Sequence, residues 1–142
     1  MALERTFFII KPDAVAAGNT GNILALIEKE GFSIAALHRV QLTRAQAEGF
    51  YAVHSQRGFF GELCDFMTRG PVVIGALQKE EGVAAWRTLM GATDPAKADA
   101  GTMRKLFGAN VGENATHGSD SLENAKIELS FFFAGHDVNP SA

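Results

Sequence analysis

The spacing of apolar residues along the chain predicts strands that alternate with helices. Residues 3–11 form a β-favouring apolar run that Pro12 closes, which is typical of a strand leading into a turn. Residues 33–42 and 71–77 have the same character. In residues 126–133 every second position, beginning at 127, is apolar, and this alternation predicts a fourth strand.

Helical spacing of apolar residues separates these predicted strands. It recurs in residues 23–31, 59–67 and 80–90. Thr43, followed three positions later by Gln46, predicts a capping box that begins another helix running toward position 54.

The predicted order is strand, helix, strand, helix, strand, helix, loop, strand. This order indicates an α+β fold of the ferredoxin-like, split βαβ kind, with a four-stranded, mostly antiparallel sheet and surrounding helices. Residues 91–120 show no regular periodicity. Because connections longer than about 12–15 residues are generally functional or disordered, we expect function in this segment.

Composition narrows the class of protein. The chain has 142 residues, 46% of them hydrophobic, which predicts one domain over residues 1–142 with a short tail at 134–142. The net charge of −3 does not suit a protein that grips a nucleic-acid backbone. No apolar stretch reaches the roughly 18 residues of a membrane helix, and no signal peptide is read. We expect a cytoplasmic protein, in which the single Cys64 excludes an internal disulfide.

The stretch 114–120, with the sequence NATHGSD, carries the strongest candidate chemistry. Small neighbours leave the His117 imidazole open to a reactant, and Gly118 leaves room for another backbone or a ligand. Taken alone, the motif is still better explained as a solvated loop histidine. Glu128, on the predicted last strand, either orients an imidazole or faces water.

Several cationic side chains favour phosphate chemistry. Lys11 ends the first predicted strand, Arg87 lies on a predicted helix and Arg104 lies in the long irregular segment. Arginine forks onto phosphate oxygens, although each arginine alone is more often part of a surface salt bridge. The chain has neither a P-loop nor a Rossmann glycine motif, and its histidines lack zinc-ligand spacing. Side chains would therefore have to hold any phosphate, and no metal site formed by the protein is expected.

Several motifs, in order and correctly spaced, carry a resemblance to a known family. They are IIKPDA at 9–14, FYAVH at 50–54, FF at 59–60, FMT at 66–68 with GPV at 70–72, LMGAT at 89–93 and NATHGSD at 114–120. Over residues 3–133 the sequence closely resembles the nucleoside diphosphate kinases.

The resemblance implies a ping-pong phosphotransferase that maintains NTP and dNTP pools. The histidine matching His117 takes the γ-phosphate of a nucleoside triphosphate, typically ATP, and passes it to a nucleoside diphosphate. Glu128, held by Ser119, would orient the ring, and Tyr51 would lie beside it. Lys11 would approach the transferred phosphate.

The resemblance also implies a nucleotide site and an assembly. The residues matching the family's nucleotide ligands are Lys11, Phe59, Arg87, Thr93, Arg104, Val111 and Asn114. Mg²⁺ would be carried on the nucleotide phosphates. Relatives assemble as homo-oligomers, either tetramers or hexamers built from dimers. The chain departs from the common family pattern at Gly58, Ala100, Leu106 and Thr116, and Leu106 removes a carboxylate that could support Arg104.

Two alternatives come from other classes. An RNA-recognition domain shares the sheet plan, and residues 57–59 copy the opening of its aromatic motif, but residues 60–62 break it. A phosphocarrier, phosphorylated on histidine by a partner protein, would leave the arginines, Lys11 and Asn114 unexplained. Labelled ATP followed by GDP distinguishes the three functions.

Overall fold

The sheet has four strands in the computed structural model, which describes residues 3–134. The strands are Leu3–Ile10 (β1), Ser33–Val40 (β2), Val72–Glu80 (β3) and Thr116–Gly118 (β4). Their order in the sheet is β2-β3-β1-β4, and every neighbouring pair is antiparallel. The predicted ferredoxin-like α+β class is confirmed.

Seven α-helices and two short 3₁₀ turns surround the sheet within the described residues. The helices are Pro12–Ala16 (α1), Thr20–Lys29 (α2), Arg44–Phe50 (α3), Phe60–Thr68 (α4), Gly82–Met90 (α5), Met103–Phe107 (α6) and Leu122–Phe132 (α7). The 3₁₀ turns are Ala52–His54 and Pro95–Lys97. The predicted capping box is confirmed, since Thr43 Oγ1 accepts from Gln46 N at 3.1 Å and Thr43 N donates to Gln46 Oε1 at 2.9 Å.

Strand β1 runs through the middle of the molecule and is buried on both faces. Phe8 and Ile10 belong to the core beneath α2 and α5, where Trp86 is fully buried. Phe7 and Ile9 point to the opposite face and pack with Met67. A strand covered on both sides needs apolar residues at consecutive positions, which explains the unbroken run from Phe7 to Ile10.

The prediction of a fourth strand at residues 126–133 is wrong, because residues 126–132 belong to α7 and Phe133 is its C-cap. Ser121 begins the helix, and its Oγ accepts from Asn124 N at 3.0 Å. A short apolar run fits either period, and here the four-residue helical spacing prevails. Ile127 is 60% exposed, and Phe131, whose ring meets Phe50 of α3 edge-on at 5.7 Å, is 44% exposed. Leu129 and Phe133, also four apart, pack toward the sheet.

The true fourth strand lies within the segment predicted to be irregular. Strand β4 spans three residues, too few for an alternating pattern to be recognised, and the short α6 lies in the same segment. Of the predicted tail at 134–142, only Ala134 is among the described residues. None of the helices in residues 3–134 is long and apolar enough to cross a membrane.

Gly75 tests how closely the sheet is packed against its neighbours. A Cβ at this position would lie 2.4 Å from the Ala36 carbonyl oxygen and 2.5 Å from the Phe8 ring. We expect Gly75→Ala to lower the free energy of unfolding by about 1–3 kcal/mol through overpacking. Urea denaturation measures the change.

The matched control is Gly21→Ala in α2, where a Cβ would meet no atom within 4 Å. Alanine is favoured over glycine in a helix, so this variant should gain roughly 0.5–1 kcal/mol. Equal effects of the two substitutions would contradict the packing described for Gly75.

Candidate active site

His117 lies on β4, at the edge of the sheet, and pairs with Ile9 of β1. Its ring packs edge-on against Phe50 and Phe7, with centroid separations of 5.6 and 6.1 Å. The side chain is 22% exposed. The alternative of a solvated loop histidine is therefore wrong, because the imidazole is held by aromatic packing and keeps one open side.

Gly118 makes room for the protein itself rather than for a ligand. A Cβ there would lie 2.5 Å from the Trp86 ring. The Trp86 indole also donates through Nε1 to the His117 carbonyl at 3.4 Å. Trp86 thus fixes the backbone of β4 from the side of the sheet opposite the imidazole.

Glu128 contacts the imidazole, which decides between the two alternatives for this residue. His117 Nε2 lies 2.9 Å from Glu128 Oε1, and Ser119 Oγ donates to the same oxygen at 2.9 Å. A carboxylate oxygen only accepts, so Nε2 carries the proton. In the neutral ring, Nδ1 then keeps its lone pair.

Asn114 joins Lys11 to the loop after α5. Its Oδ1 accepts from Lys11 Nζ at 2.8 Å, and its Nδ2 donates to the Thr93 carbonyl at 3.0 Å. The amide is 2% exposed. The structure therefore brings together three candidate residues that are far apart in sequence.

Arg104 is buried, and main-chain carbonyls hold it. Its two terminal nitrogens donate to Gly91 O at 3.1 Å and to Thr116 O at 3.0 Å. Burial, together with the nearby Arg87 charge, lowers the pKa of Arg104 to about 10. Leu106 offers no carboxylate that could support this arginine, and the two carbonyls position the guanidinium instead.

Positive charge accumulates beside His117. Burial and, second, the Arg104 charge lower the pKa of Lys11 to about 8, and the Asp13 charge opposes this shift. Within residues 3–134, no carboxylate forms a salt bridge with Lys11, Arg87 or Arg104. Clustered cations that form no salt bridge in a partly closed site favour an anionic ligand.

Tyr51 is buried beside Phe50 and within electrostatic range of Glu128. Burial and, second, the Glu128 charge raise the pKa of the Tyr51 phenol, so that it stays protonated at neutral pH. Its ring meets the Phe50 ring edge-on at 4.9 Å. The aromatic cluster that holds His117 therefore extends to the predicted tyrosine.

Phe59 and Val111 face a cleft of about 650 Å³ that also includes Lys11. They are 47% and 55% exposed, as expected for side chains that contact a ligand rather than fill a core. Phe59 directly precedes α4 and lies outside the sheet. An aromatic motif of the RNA-recognition kind requires a sheet strand, so the structure contradicts that alternative.

Sequence reasoning missed the residues that shape this cleft. Arg69 forms a 2.8 Å salt bridge with Glu113 and stacks over Phe66 at 4.6 Å. Asn110 Oδ1 accepts from the backbone N–H groups of Gly112 and Glu113. In the sequence, only Asn110 and Gly112 indicated this turn, and no sequence feature predicted that Arg69 contacts it.

Side chains that could bind a metal ion do not form a cluster in the described part of the chain. Within residues 3–134, no three His, Cys, Asp or Glu side chains are placed to hold an ion together.

Comparison with known proteins decides the family. A family model described as nucleoside diphosphate kinase matches residues 4–138. The chain belongs to the nucleoside diphosphate kinase family. A family relative from Sorangium cellulosum is 59% identical over 142 residues, which cover 100% of this chain and 99% of that protein. Another, from Geobacter sp. (strain M21), is 56% identical over 131 residues, which cover 92% of this chain and 96% of that protein.

Solved structures of the family share the fold. The Aquifex aeolicus nucleoside diphosphate kinase superimposes with a TM-score of 0.94 at 42% identity, covering 96% of this chain and 99% of that one. A halophilic enzyme from Halobacterium salinarum, solved in complex with CDP, gives 0.94 at 32% identity, with coverage of 99% and 94%.

The depressed pKa of Lys11 predicts a rise in stability with pH in the nucleotide-free protein. Between about pH 8 and the unfolded value of 10.5, the unfolded chain holds a proton that the folded chain has released. Stability therefore increases with pH in that window. From about pH 7.5 to 9.0 we expect wild type to gain about 1 kcal/mol relative to Lys11→Met, measured by urea denaturation at each pH. Parallel curves for the two proteins would contradict the burial of a charged Lys11.

Proposed function

We propose that His117 Nδ1 is the nucleophile of this enzyme. The chain is a nucleoside diphosphate kinase, which transfers the terminal phosphate of a nucleoside triphosphate to a nucleoside diphosphate through a phosphohistidine. The observation that carries the assignment is the hydrogen bond of His117 Nε2 to Glu128, which leaves Nδ1 as the free ring nitrogen.

The reaction proceeds in two opposite half-reactions. The Nδ1 lone pair forms a bond to the γ-phosphorus, and the bond from that phosphorus to the bridging oxygen breaks. The electron pair of the broken bond leaves with the nucleoside diphosphate. The ring becomes positively charged, and Glu128 stabilises this charge through the Nε2 hydrogen bond while Ser119 holds the carboxylate. A second diphosphate then takes the phosphate back by the reverse displacement.

The cationic side chains stabilise the charge on the transferred group. Arg104, fixed by two carbonyls, and Lys11, fixed by Asn114, are held in place before substrate arrives, so they need little reorganisation during transfer. Arg87 and Thr93 complete the phosphate ligands. Mg²⁺ bound to the nucleotide phosphates would neutralise part of their charge.

The exposed cleft between Phe59 and Val111 is the proposed base slot. Both side chains are apolar and contact a base through its faces, which all bases share. In this arrangement Lys11 and Asn114 bind the sugar hydroxyls, so no described polar residue is assigned to a base edge. Broad acceptance of bases, in ribo and deoxy form, follows.

Assembly and location complete the proposal. Leu37, on the outer strand β2, is 48% exposed, and Ile127 and Phe131 add apolar surface on α7. Burial of such surface between copies favours a homo-oligomer, either a tetramer or a hexamer built from dimers. Sedimentation should give a multiple of the 15.2 kDa chain mass, and a monomer at micromolar concentration would contradict it.

The free, buried thiol of Cys64 and the nucleotide substrates suit the cytoplasm.

His117→Ala should abolish both nucleotide-dependent labelling and phosphate transfer, because the nucleophile is lost. Acid-labile phosphoenzyme formed from γ-labelled ATP is the measurement, followed by chase with GDP. His38→Ala, at an exposed position on β2, is the control and should label normally. Labelling that persisted in the His117 variant would overturn the assignment.

Phe59→Ala should raise the Michaelis constants of adenine, guanine, cytosine and uracil diphosphates together, by roughly tenfold, since stacking on an aromatic ring is worth about 1–3 kcal/mol per base. Phosphoenzyme formation at saturating ATP should persist. Leu3→Ala, a 51% exposed residue at the far end of β1, is the control. A defect confined to one base would reveal an edge-reading group and contradict the stacking role.

A further inference from the structure

The backbone immediately before β4 has an unusual conformation. Ala115 has a φ of 74°, in the left-handed region that a residue with a side chain adopts at a cost. Thr116 N donates to the Asn114 carbonyl at 2.9 Å, which closes a three-residue turn around Ala115. Ala115 is fully buried, so water cannot satisfy its peptide groups.

Both peptide groups of Ala115 are bound by the segment after β1. Its carbonyl accepts from Lys11 N at 2.8 Å, and its N–H donates to Asp13 Oδ2 at 3.1 Å. These two bonds tie the turn to the start of α1. Any residue other than proline at position 11 can supply the backbone donor, whereas the acceptor depends on the Asp13 side chain.

The Asp13 carboxylate binds the Ala115 N–H although burial disfavours its negative charge. Burial raises its pKa, opposed by the backbone N–H groups of Ala115, of Asp13 itself and of Ala14, and by the Lys11 charge. Its other oxygen, Oδ1, is buried and makes no hydrogen bond within the described part of the chain. A half-buried carboxylate with one unpartnered oxygen calls for a specific role.

The turn has a functional residue on each side. Asn114, before it, holds Lys11 Nζ, and His117 follows two positions after it in register with Ile9. A relaxed Ala115 would move the Asn114 amide and the start of β4 relative to β1. Displacements of about 1 Å at a reacting atom can cost on the order of a hundredfold in rate.

We propose that Asp13 is a positioning residue, whose carboxylate holds Ala115 in its left-handed turn and thereby sets the placement of His117 and Asn114. The inference rests on the proposed function, since it concerns the geometry of the same nucleophile. Two other roles for Asp13 are distinguishable: support of the α1 N-terminus, where it is the acidic residue of the first turn, and support of the Lys11 charge.

The test uses Asp13→Ala alone and combined with Ala115→Gly in the full-length enzyme. The rate of phosphoenzyme formation at saturating ATP, corrected for the folded fraction, should fall about tenfold or more in Asp13→Ala. Glycine adopts positive φ without the cost of a Cβ, so Ala115→Gly should restore the rate of the double variant to within about threefold of wild type. Neither helix support nor a charge effect would be rescued by that glycine.

Asp13→Asn separates geometry from charge. The amide keeps an oxygen that accepts from Ala115 N, so its rate should stay within about threefold of wild type. If Asp13→Ala does not accumulate as folded protein, Asp13→Ser replaces it, because serine favours helix starts but is too short to keep the same bond. Asp65→Ala is the matched control, since that carboxylate pairs with exposed Arg44 on the surface.

The outcomes are separable. An Asp13→Ala enzyme with a normal rate, a defect that Ala115→Gly does not rescue, or an Asp13→Asn defect equal to that of Asp13→Ala would each overturn the positioning role. A wild-type enzyme that forms no phosphoenzyme would instead overturn the proposed function.

Discussion

Antiparallel pairing of β4 with β1 is the constraint on which the site depends. The register Ile9↔His117 places a strand of three residues against the buried C-terminal part of β1. Because strand side chains alternate between faces, a shift by one residue would turn the imidazole away from Glu128 and toward Trp86. The turn at Ala115 and the close packing of Gly118 on Trp86 hold this register from both ends.

The site combines rigid packing with cationic side chains that form no salt bridge within residues 3–134. Aromatic rings hold His117 on one side, and Glu128 fixes its Nε2 on the other. Arg104 is bound to carbonyls instead of a carboxylate, and it keeps its full positive charge for a ligand. Burial of Lys11 beside Arg104 costs free energy in the empty protein, and an anionic substrate would offset that cost.

Much of this arrangement could be predicted from the sequence, for identifiable reasons. The buried run of β1 and the capping box at Thr43 have strong local signals, and the candidate site residues follow from matched motifs. The last segment could not be predicted, since its eight residues fit both periods and tertiary packing decided for α7. The role of Gly118 and the Arg69–Glu113 pair depend on contacts between distant segments, which no local pattern encodes.

The central claim is that Glu128 reserves Nδ1 of His117 for the phosphate. The direct measurement is the ring position of the phosphate in the trapped phosphoenzyme. Protein labelled with ¹⁵N-histidine would be phosphorylated by ATP at alkaline pH and examined by NMR for phosphorus–nitrogen coupling. Phosphate on Nδ1, with Nε2 still protonated, is the predicted result. Phosphate on Nε2 would contradict the account, since that nitrogen donates its proton to Glu128.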